Sequence, residues 1–298
     1  MIRGLPREPP LRLPLPNPVD RVAAFVDAGY LLAAGSEALV GQARKRSELI
    51  LDCCAAIETV AAKVKDLSGL PLLRVYWYDG TDSGPTIQQR ALAECADVKL
   101  RLGFVRKDEQ NRSQQKGVDS LLVTDMITLA RNRAVATCVL VSGDADLLVG
   151  VQQAQEHGVR VHLLGIRPQQ GGNLSQFLLN EADQVHHWDA DTVRGFLACV
   201  PQANAPANYR VDPQRSLEWA AQRTVDAIGV LPSLLDRINA LHRANRPHPR
   251  DVDALLLRLA SDAIGGARLT DQQQRQVRQW FRQRVARAAT PATPNTTP

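Results

Sequence analysis

Apolar runs alternate with amphipathic stretches along the first two thirds of the chain. Six short runs of mainly aliphatic residues, bounded by turn formers, predict strands; they cover residues 22–27, 73–78, 98–104, 138–142, 159–164 and 184–188. Helical spacing of apolar positions predicts the helices between them, over residues 46–67, 85–96, 118–133, 145–157 and 174–180. Strands separated by helices indicate an α/β, Rossmann-like domain with a mainly parallel sheet flanked by helices.

The last third of the chain has helical patterns only. Helices are predicted over residues 216–230, 232–244, 250–263 and 270–288. We therefore expect an α/β domain over residues 21–200, followed by an all-helical region over residues 215–288. Residues 201–214, rich in Pro, Ala and Asn, are interpreted as a linker or an ordered connection. Proline-rich residues 1–20 and the Thr-Pro tail of residues 289–298 predict a disordered leader and tail.

The positive charge of the chain is concentrated in its helical region. The whole chain has a net charge of +5. Residues 206–298 contain 14 arginines, no lysine and 8 acidic residues, so the remainder is close to neutral. A basic helical surface favours a polyanionic partner, although an ordinary solvated arginine-rich surface explains the same pattern.

Composition bounds the cellular setting. No run of about 18 apolar residues is present, so we predict no membrane span. The five cysteines are odd in number and show no zinc-ligand or CxxC spacing. This pattern is typical of free thiols in a reducing compartment, which favours a cytoplasmic location.

Aspartates occur where predicted strands meet turns or helices. Asp27 ends the first strand, Asp119 opens a helix, and Asp144 and Asp146 follow the strand of residues 138–142. A single aspartate at such a place is explained by helix capping. The carboxyl ends of parallel strands share one edge of a sheet, however, so these residues are expected to converge.

Converging carboxylates repel one another unless a cation lies between them. Carboxylate oxygens in an open cluster suit Mg²⁺ or Mn²⁺. Such a centre hydrolyses phosphodiester bonds without a Ser, Cys or His nucleophile. We found no nucleophile elbow, Walker loop or dinucleotide-binding glycine fingerprint in the sequence.

Three segments, in chain order, resemble the motifs of the NYN domain family, the LabA-like branch of the PIN-like nucleases. They are FVDAGYLL, KGVDSLLVTDM and VSGDADLL, and the later segment NLSQFLLNEADQV also fits the family pattern. The resemblance covers residues 21–189. It implies a Rossmann-like PIN fold with an acidic, Mg²⁺- or Mn²⁺-dependent ribonuclease site.

The resemblance assigns roles to individual acidic residues. Asp27 matches the acid that ends the first strand, and Asp119 matches the acid of the KGVD motif. Asp144 and Asp146 match the two acids of the third motif. The implied metal ligands are Asp27, Asp119 and Asp144, with Asp146 as a fourth catalytic group. Lys116 matches the motif lysine and is expected to steady a phosphate or the carboxylates.

Other residues are assigned to substrate binding or to structure. Ser142 is expected to orient a ligand through a hydrogen bond, and Asp79, after a Tyr-Trp-Tyr run, to line the substrate groove. Asp125 lies inside a predicted helix, which favours a structural role. Tyr30, also a substrate-binding candidate, stands near the position at which many family members carry Asn.

The sequence thus predicts a metal-dependent ribonuclease, with endonucleolytic cleavage as the expected mode and single-stranded RNA as the expected partner. The C-terminal helices are expected to contact RNA, a protein partner or a second copy of the chain. The alternative is a non-catalytic PIN-like module that binds RNA or protein, which Tyr30 favours. A phosphatase of the haloacid dehalogenase type is disfavoured because the first strand is not followed by its second aspartate.

Overall fold

The sequence has 298 residues, and the computed structural model describes most of them. Described are residues 20–81, 84–107, 113–115, 117–200 and 212–289, without the side chains of residues 104–116. The predicted leader and tail lie outside the described residues, apart from residues 20 and 289, and so does most of the predicted linker. The predictions made for those segments stay predictions.

Within the described residues, nine strands form two sheets. They are β1 Val22–Asp27, β2 Leu49–Leu51, β3 Leu72–Thr81, β4 Val98–Lys107, β5 Ser113–Gln115, β6 Thr137–Val141, β7 Arg160–Ile166, β8 Gln184–Trp188 and β9 Leu197–Cys199. The main sheet has the order β5-β4-β3-β1-β6-β7-β8, and β2 pairs with β9 in a small second sheet. All six strands predicted from the sequence are present, and β1 and β8 have the predicted bounds.

Eleven α-helices are present among the described residues. They are α1 Ala28–Val40, α2 Cys53–Ser68, α3 Ile87–Ala93, α4 Val118–Arg131, α5 Leu148–Glu156, α6 Gln176–Glu181, α7 Ala190–Arg194, α8 Pro213–Gly229, α9 Pro232–Arg243, α10 Arg250–Ala263 and α11 Asp271–Ala288. Short 3-10 turns precede β2 and α5, at Arg46–Glu48 and Ala145–Leu147.

Six strands of the main sheet are parallel, and only β5, at one edge, is antiparallel to its neighbour. Counted along the chain, the parallel strands have the order 3-2-1-4-5-6, which is that of a doubly wound Rossmann-like sheet. The order reverses between β1 and β6. The carboxyl ends of these two strands therefore border the crevice in which such sheets bind ligands.

Alternating side chains of each central strand enter two separate hydrophobic cores. In β1, Val26 packs on the face covered by α1 and α2, whereas Phe25 packs on the face covered by α4 and α5. Both side chains are fully buried. Residues two positions apart along a strand therefore lie on the same face of the sheet. This alternation decides which aspartates at the strand ends can lie close together.

Two differences from the prediction lie near the start of the α/β domain. The helix predicted over residues 46–67 is wrong in its first part, because Leu49–Leu51 forms the strand β2 and the helix begins at Cys53, after the capping residue Asp52. Helix α1 was not predicted. It is buried on most sides, with seven buried residues, so it lacks the polar face from which a helix is recognised.

The four predicted C-terminal helices are present as α8 to α11. They share a hydrophobic core with Ile50 of β2 and Ala198 of β9. Arg237 of α9 also donates a hydrogen bond of 2.5 Å to the buried Asp52. The helical region therefore packs directly on the α/β part. In the part of the chain that the structure describes, no helix is both long and apolar enough to cross a membrane.

Candidate metal centre

Three aspartates converge at the carboxyl ends of the central strands. One carboxylate oxygen from each of Asp119, Asp144 and Asp146 lies within 4.8 Å of the others. Asp119 lies in the first turn of α4 and is partly buried, whereas Asp144 and Asp146 are exposed. The convergence expected from the sequence is therefore present for these three residues.

The turn after β6 fixes two of these carboxylates. Asp144 caps the 3-10 turn, and its Oδ1 accepts a hydrogen bond of 3.0 Å from the backbone N–H of Asp146. Capping is the structural role that any aspartate can fulfil at such a place. Here the capping residue and the residue that it holds both face Asp119, so capping and clustering occur together.

Asp27 is tied to the same turn through Ser142. The Ser142 hydroxyl donates to Asp27 Oδ2 at 3.0 Å and accepts from the backbone N–H of Asp144 at 3.3 Å. Asp27 Oδ1 accepts the backbone N–H of Tyr30 at 3.2 Å, which caps α1. Burial raises the pKa of Asp27 above its ordinary value, and the nearby Asp144 adds to this effect.

The cluster is electrostatically unbalanced. Burial, followed by the charges of Asp144, Asp27 and Asp146 in that order of importance, raises the pKa of Asp119 to about 6. None of the four carboxylates forms an ion pair with a described Lys or Arg. The three converging carboxylates, with Asp27 bonded to the same turn through Ser142, offer only oxygen ligands and fit a hard divalent cation such as Mg²⁺ or Mn²⁺.

Tyr30 lies behind the centre, where it supports a loop. Its hydroxyl accepts the backbone N–H of Ile166 at 2.9 Å and donates to Asn173 Oδ1 at 3.3 Å. Asn173 Nδ2 donates in turn to the carbonyl of Ile166 at 2.9 Å. Burial raises the pKa of Tyr30 to about 12, so the hydroxyl stays protonated at neutral pH.

The contact between this loop and the turn after β6 is not evident from the sequence. A Cβ at Gly143 would lie 2.8 Å from Cε2 of Tyr30 and would also collide with the carbonyl oxygen of Asn173. The backbone N–H of Ser175 donates to the Gly143 carbonyl at 2.9 Å. The only signal in the sequence is a glycine between Ser142 and Asp144, which does not reveal its distant partner.

The structure does not bring Asp79 to the cluster. Asp79 follows Trp77 by two positions and so lies on the α2 face of the sheet, whereas Asp27 lies on the α4 face. Its buried carboxylate accepts hydrogen bonds from Arg46 at 2.6 Å and from Gln89 at 2.7 Å. Asp79 therefore has partners of its own, apart from the aspartate cluster and Asp27.

Asp125 and Lys116 are the two remaining candidates from the sequence. Asp125 accepts two hydrogen bonds from Arg101, at 2.7 and 3.0 Å, and one from the Tyr78 hydroxyl at 3.0 Å. These bonds join β3, β4 and α4, in accordance with the structural role expected for Asp125. Lys116 lies outside the described residues.

Comparisons with known proteins identify the family. The NYN domain model matches residues 21–189, which is more than half of the chain. The chain is 39% identical over 213 residues to the uncharacterized protein y4oD of Sinorhizobium fredii, with 67% of this chain and 96% of that protein covered. A crystal structure of a protein of unknown function from Vibrio parahaemolyticus is also similar, with 19% identity, a TM-score of 0.43 and coverage of 60% and 96%. The chain belongs to the NYN domain family.

Proposed function

We propose that this protein is a metal-dependent ribonuclease that hydrolyses phosphodiester bonds within single-stranded RNA. One observation carries the proposal. Asp119, Asp144 and Asp146 bring carboxylate oxygens within 4.8 Å of one another at the switch point of a parallel sheet, without a described basic partner. Membership of the NYN family, which is nuclease-like, agrees with this chemistry.

The proposed metal ligands are Asp27, Asp119 and Asp144, directly or through water, with Asp146 assisting. A bound Mg²⁺ or Mn²⁺ lowers the pKa of a coordinated water and neutralises charge on the phosphate. The residues of the chain supply position and charge. Ser142 donates to Asp27, which favours the carboxylate form of a buried acid and directs its oxygens.

Other features support parts of the proposal. Asp144 and Asp146 are exposed, so a polymeric substrate can approach the cluster. Lys116, two residues before α4, is proposed as a phosphate contact, as the family resemblance implies. The five cysteines are free thiols in the structure, in accordance with a cytoplasmic location, which we also propose.

A second candidate function is a module that binds RNA or protein without cleavage. The observation that favours it is Tyr30, whose hydroxyl is bonded to Ile166 and Asn173 and supplies no amide near Asp27. Under this hypothesis the chain keeps the acidic cluster but lacks an amide side chain beside Asp27 that catalysis needs. Multiple turnover distinguishes the two candidates, because only a nuclease cleaves more molecules of RNA than there are molecules of protein.

The experiment that tests the proposal is cleavage of a mixed-sequence single-stranded RNA in Mg²⁺ and in Mn²⁺, with the matching DNA beside it. Asp144→Asn keeps the shape of the side chain and removes its charge, and we expect it to lower the cleavage rate at least about 100-fold. Asp236→Asn is the matched control, since Asp236 is an exposed aspartate of α9. It should cleave like wild type.

Each outcome decides between the candidates. Metal-dependent cleavage of RNA by wild type and by Asp236→Asn, lost in Asp144→Asn, supports the ribonuclease. Equal cleavage by Asp144→Asn and wild type would remove the proposed centre. Binding of RNA without cleavage in either metal would favour the non-catalytic binding module over the ribonuclease.

A further inference from the structure

A basic cleft lies in the C-terminal region, on elements separate from those that carry the aspartate cluster. It has a volume of about 470 Å³ and lies between the start of α10 and one face of α11. Four arginines line it, together with Asp253 and His248; they are Arg250, Arg275, Arg278 and Arg282. None of its described lining residues is Lys, Phe, Tyr or Trp.

The spacing along α11 explains how the arginines share a face. Arg275, Arg278 and Arg282 stand at positions i, i+3 and i+7, which lie on one side of a helix. They extend over about 10 Å of the helix axis at a rise of 1.5 Å per residue. Val277 and Phe281 of the same helix are fully buried in the helical core. The burial of this apolar side holds the arginine side toward the cleft.

Only one of the four arginines is neutralised by a described partner. Arg278 forms a bidentate pair with Asp253, with both N···O distances at 2.8 Å. Arg250, Arg275 and Arg282 form no ion pair with a described acidic residue. Asp253 is the single acidic residue among the described lining residues. The cleft therefore keeps three positive charges in excess.

One wall of the cleft is rigid. His248 is only 7% exposed, and it bonds Asp253 Oδ1 at 3.0 Å and Nε2 of His242 at 3.1 Å. The ring of His248 also packs edge-on against Phe281, with centroids 4.9 Å apart. Asp253, Arg278 and His248 thus hold α10 and α11 at a fixed separation, and a ligand does not have to assemble the cleft.

We propose that this cleft binds the phosphates of an RNA backbone and thereby holds the substrate of the chain. The inference rests on the proposed ribonuclease function for the identity of the polyanion. Guanidinium groups donate paired hydrogen bonds to phosphate oxygens. Because no Phe, Tyr or Trp in the described lining offers a stacking surface, recognition follows the backbone and is independent of base sequence.

The cleft is poorly suited to an anionic membrane surface. Adsorption of a basic helix to lipid requires apolar side chains that insert beside the charges. The large hydrophobic residues exposed in the described part of the chain are Val40, Val149, Phe177 and Val230, and none of them lines the cleft. The apolar side of α11 is buried in the protein itself.

The test measures binding of labelled single-stranded RNA by fluorescence anisotropy, with the full chain, in EDTA so that no RNA is cleaved. The cleft variant is Arg250→Gln/Arg275→Gln/Arg282→Gln, which leaves the Arg278–Asp253 pair intact. We expect its affinity to fall roughly 10- to 100-fold near physiological salt, and the slope of log affinity against log salt to fall by about 2. Circular dichroism verifies that the helices are retained.

The matched control removes the same charge elsewhere in the helical region. Arg223→Gln/Arg268→Gln/Arg287→Gln alters three arginines that do not line the cleft. It should bind RNA within a few-fold of wild type. An equal loss of affinity in both triple variants, or none in the cleft variant, would overturn the proposal, because general charge would then account for any binding.

Two competitors separate phosphate recognition from other anions. Polyglutamate should displace RNA far less well than unlabelled RNA, and vesicles with an anionic headgroup should not bind. Equal competition by polyglutamate, or binding to vesicles in place of RNA, would overturn the proposal. The result is independent of the cleavage assay. If the cleft binds RNA but the chain has no nuclease activity, this inference stands and the proposed function fails. If the chain cleaves RNA and the cleft variant cleaves it as wild type does, the proposed function stands and this inference fails.

Discussion

Ser142 donates a hydrogen bond of 3.0 Å to Asp27 across the two central strands of the sheet. The same hydroxyl accepts the backbone N–H of Asp144 at 3.3 Å. One buried side chain thus fixes the carboxylate at the end of β1 relative to the turn after β6. The arrangement of the acidic cluster depends on this serine although it carries no charge itself.

Replacement of Ser142 by alanine should weaken the centre without unfolding the chain. The buried Asp27 would lose a donor, so its already raised pKa should rise further and its carboxylate should bind a cation less well. We expect the metal concentration for half-maximal cleavage to rise several-fold. The loss in free energy of unfolding should be about 1–3 kcal/mol, as measured by denaturant titration.

Ser36→Ala is the control for this prediction. Ser36 is fully buried, donates to the carbonyl of Ala33 and accepts the N–H of Arg44, away from the aspartates. It should lose a similar amount of stability and keep the metal dependence of wild type. The same shift in metal dependence in both variants would mean that it reflects general destabilisation.

The sequence predicts part of this centre for a simple reason. Parallel strands place their carboxyl ends at one edge, so the strand assignments alone bring Asp27 and Asp144 together. The same reasoning fails for Asp79, whose strand ends near the same edge but whose side chain lies on the other face. Identifying the face requires the exact strand register, because a shift of one residue reverses every side chain.

The loop behind the centre shows where sequence reasoning ends. Asn173 and Tyr30 are 143 positions apart, and their contact depends on how the loop after β7 folds back over β6. Neither hydrophobic period nor turn composition encodes such a pairing. Helix α1 was missed for a related reason, since burial on most sides removes the polar face that marks a helix.

Gly143→Ala should distort the centre through its backbone. The added methyl group would meet the carbonyl of Asn173 and the ring of Tyr30, so the turn that carries Asp144 has to move. We expect cleavage to fall at least tenfold and the free energy of unfolding to fall by about 1–3 kcal/mol. Cleavage assays and denaturant titrations measure the two effects.

Gly172→Ala provides the comparison from the same loop. A Cβ at Gly172 would have no heavy atom within 4 Å, and its backbone conformation is one that alanine adopts. This variant should cleave RNA and unfold like wild type. If Gly143→Ala matched it in both measurements, the close approach of the loop to the turn would have no importance for the centre.

Asp119 should make the metal-free protein less stable as pH rises. Its pKa is about 6 in the folded chain against 3.8 ordinarily, so the folded state holds more protons than the unfolded state between these values. By linkage, stability is lost as pH rises from about 4 to about 6. Asp119→Asn removes this loss, and in EDTA its melting temperature relative to wild type should increase across that window.

Added metal should give wild type a higher melting temperature than Asp119→Asn. At pH 7.5 Mn²⁺ should raise the melting temperature of wild type more than that of Asp119→Asn, because the variant lacks one anionic ligand. The neutral surface variant Asp236→Asn should follow wild type throughout. Parallel melting curves for wild type and Asp119→Asn, with and without metal, would contradict a role for Asp119 in a charged cluster.

A chain of hydrogen bonds beside the arginine cleft should make the helical region sensitive to acid. His242 Nε2 bonds His248 Nδ1, and His248 Nε2 bonds Asp253. With His248 donating to Asp253, His242 has to donate to His248, and its own Nδ1 is a buried acceptor without a partner among the described residues. Burial, followed by the charges of His248 and Arg282, lowers the pKa of His242 to about 4.

The contribution of His242 to stability should therefore fall on acidification, opposite in sign to that of Asp119. Between about 6.5 and about 4 the unfolded chain binds a proton at His242 that the folded chain does not, so this contribution is lost as pH falls through the range. The contribution is about 1 kcal/mol once solvent screening of this partly exposed group is allowed for. His242→Gln should flatten this part of the curve, because glutamine can still donate to His248 but does not titrate. His157→Gln, at an exposed histidine after α5, is the control and should keep the wild-type dependence of melting temperature on pH. If His242→Gln also kept the wild-type dependence, a group other than His242 would be responsible for it.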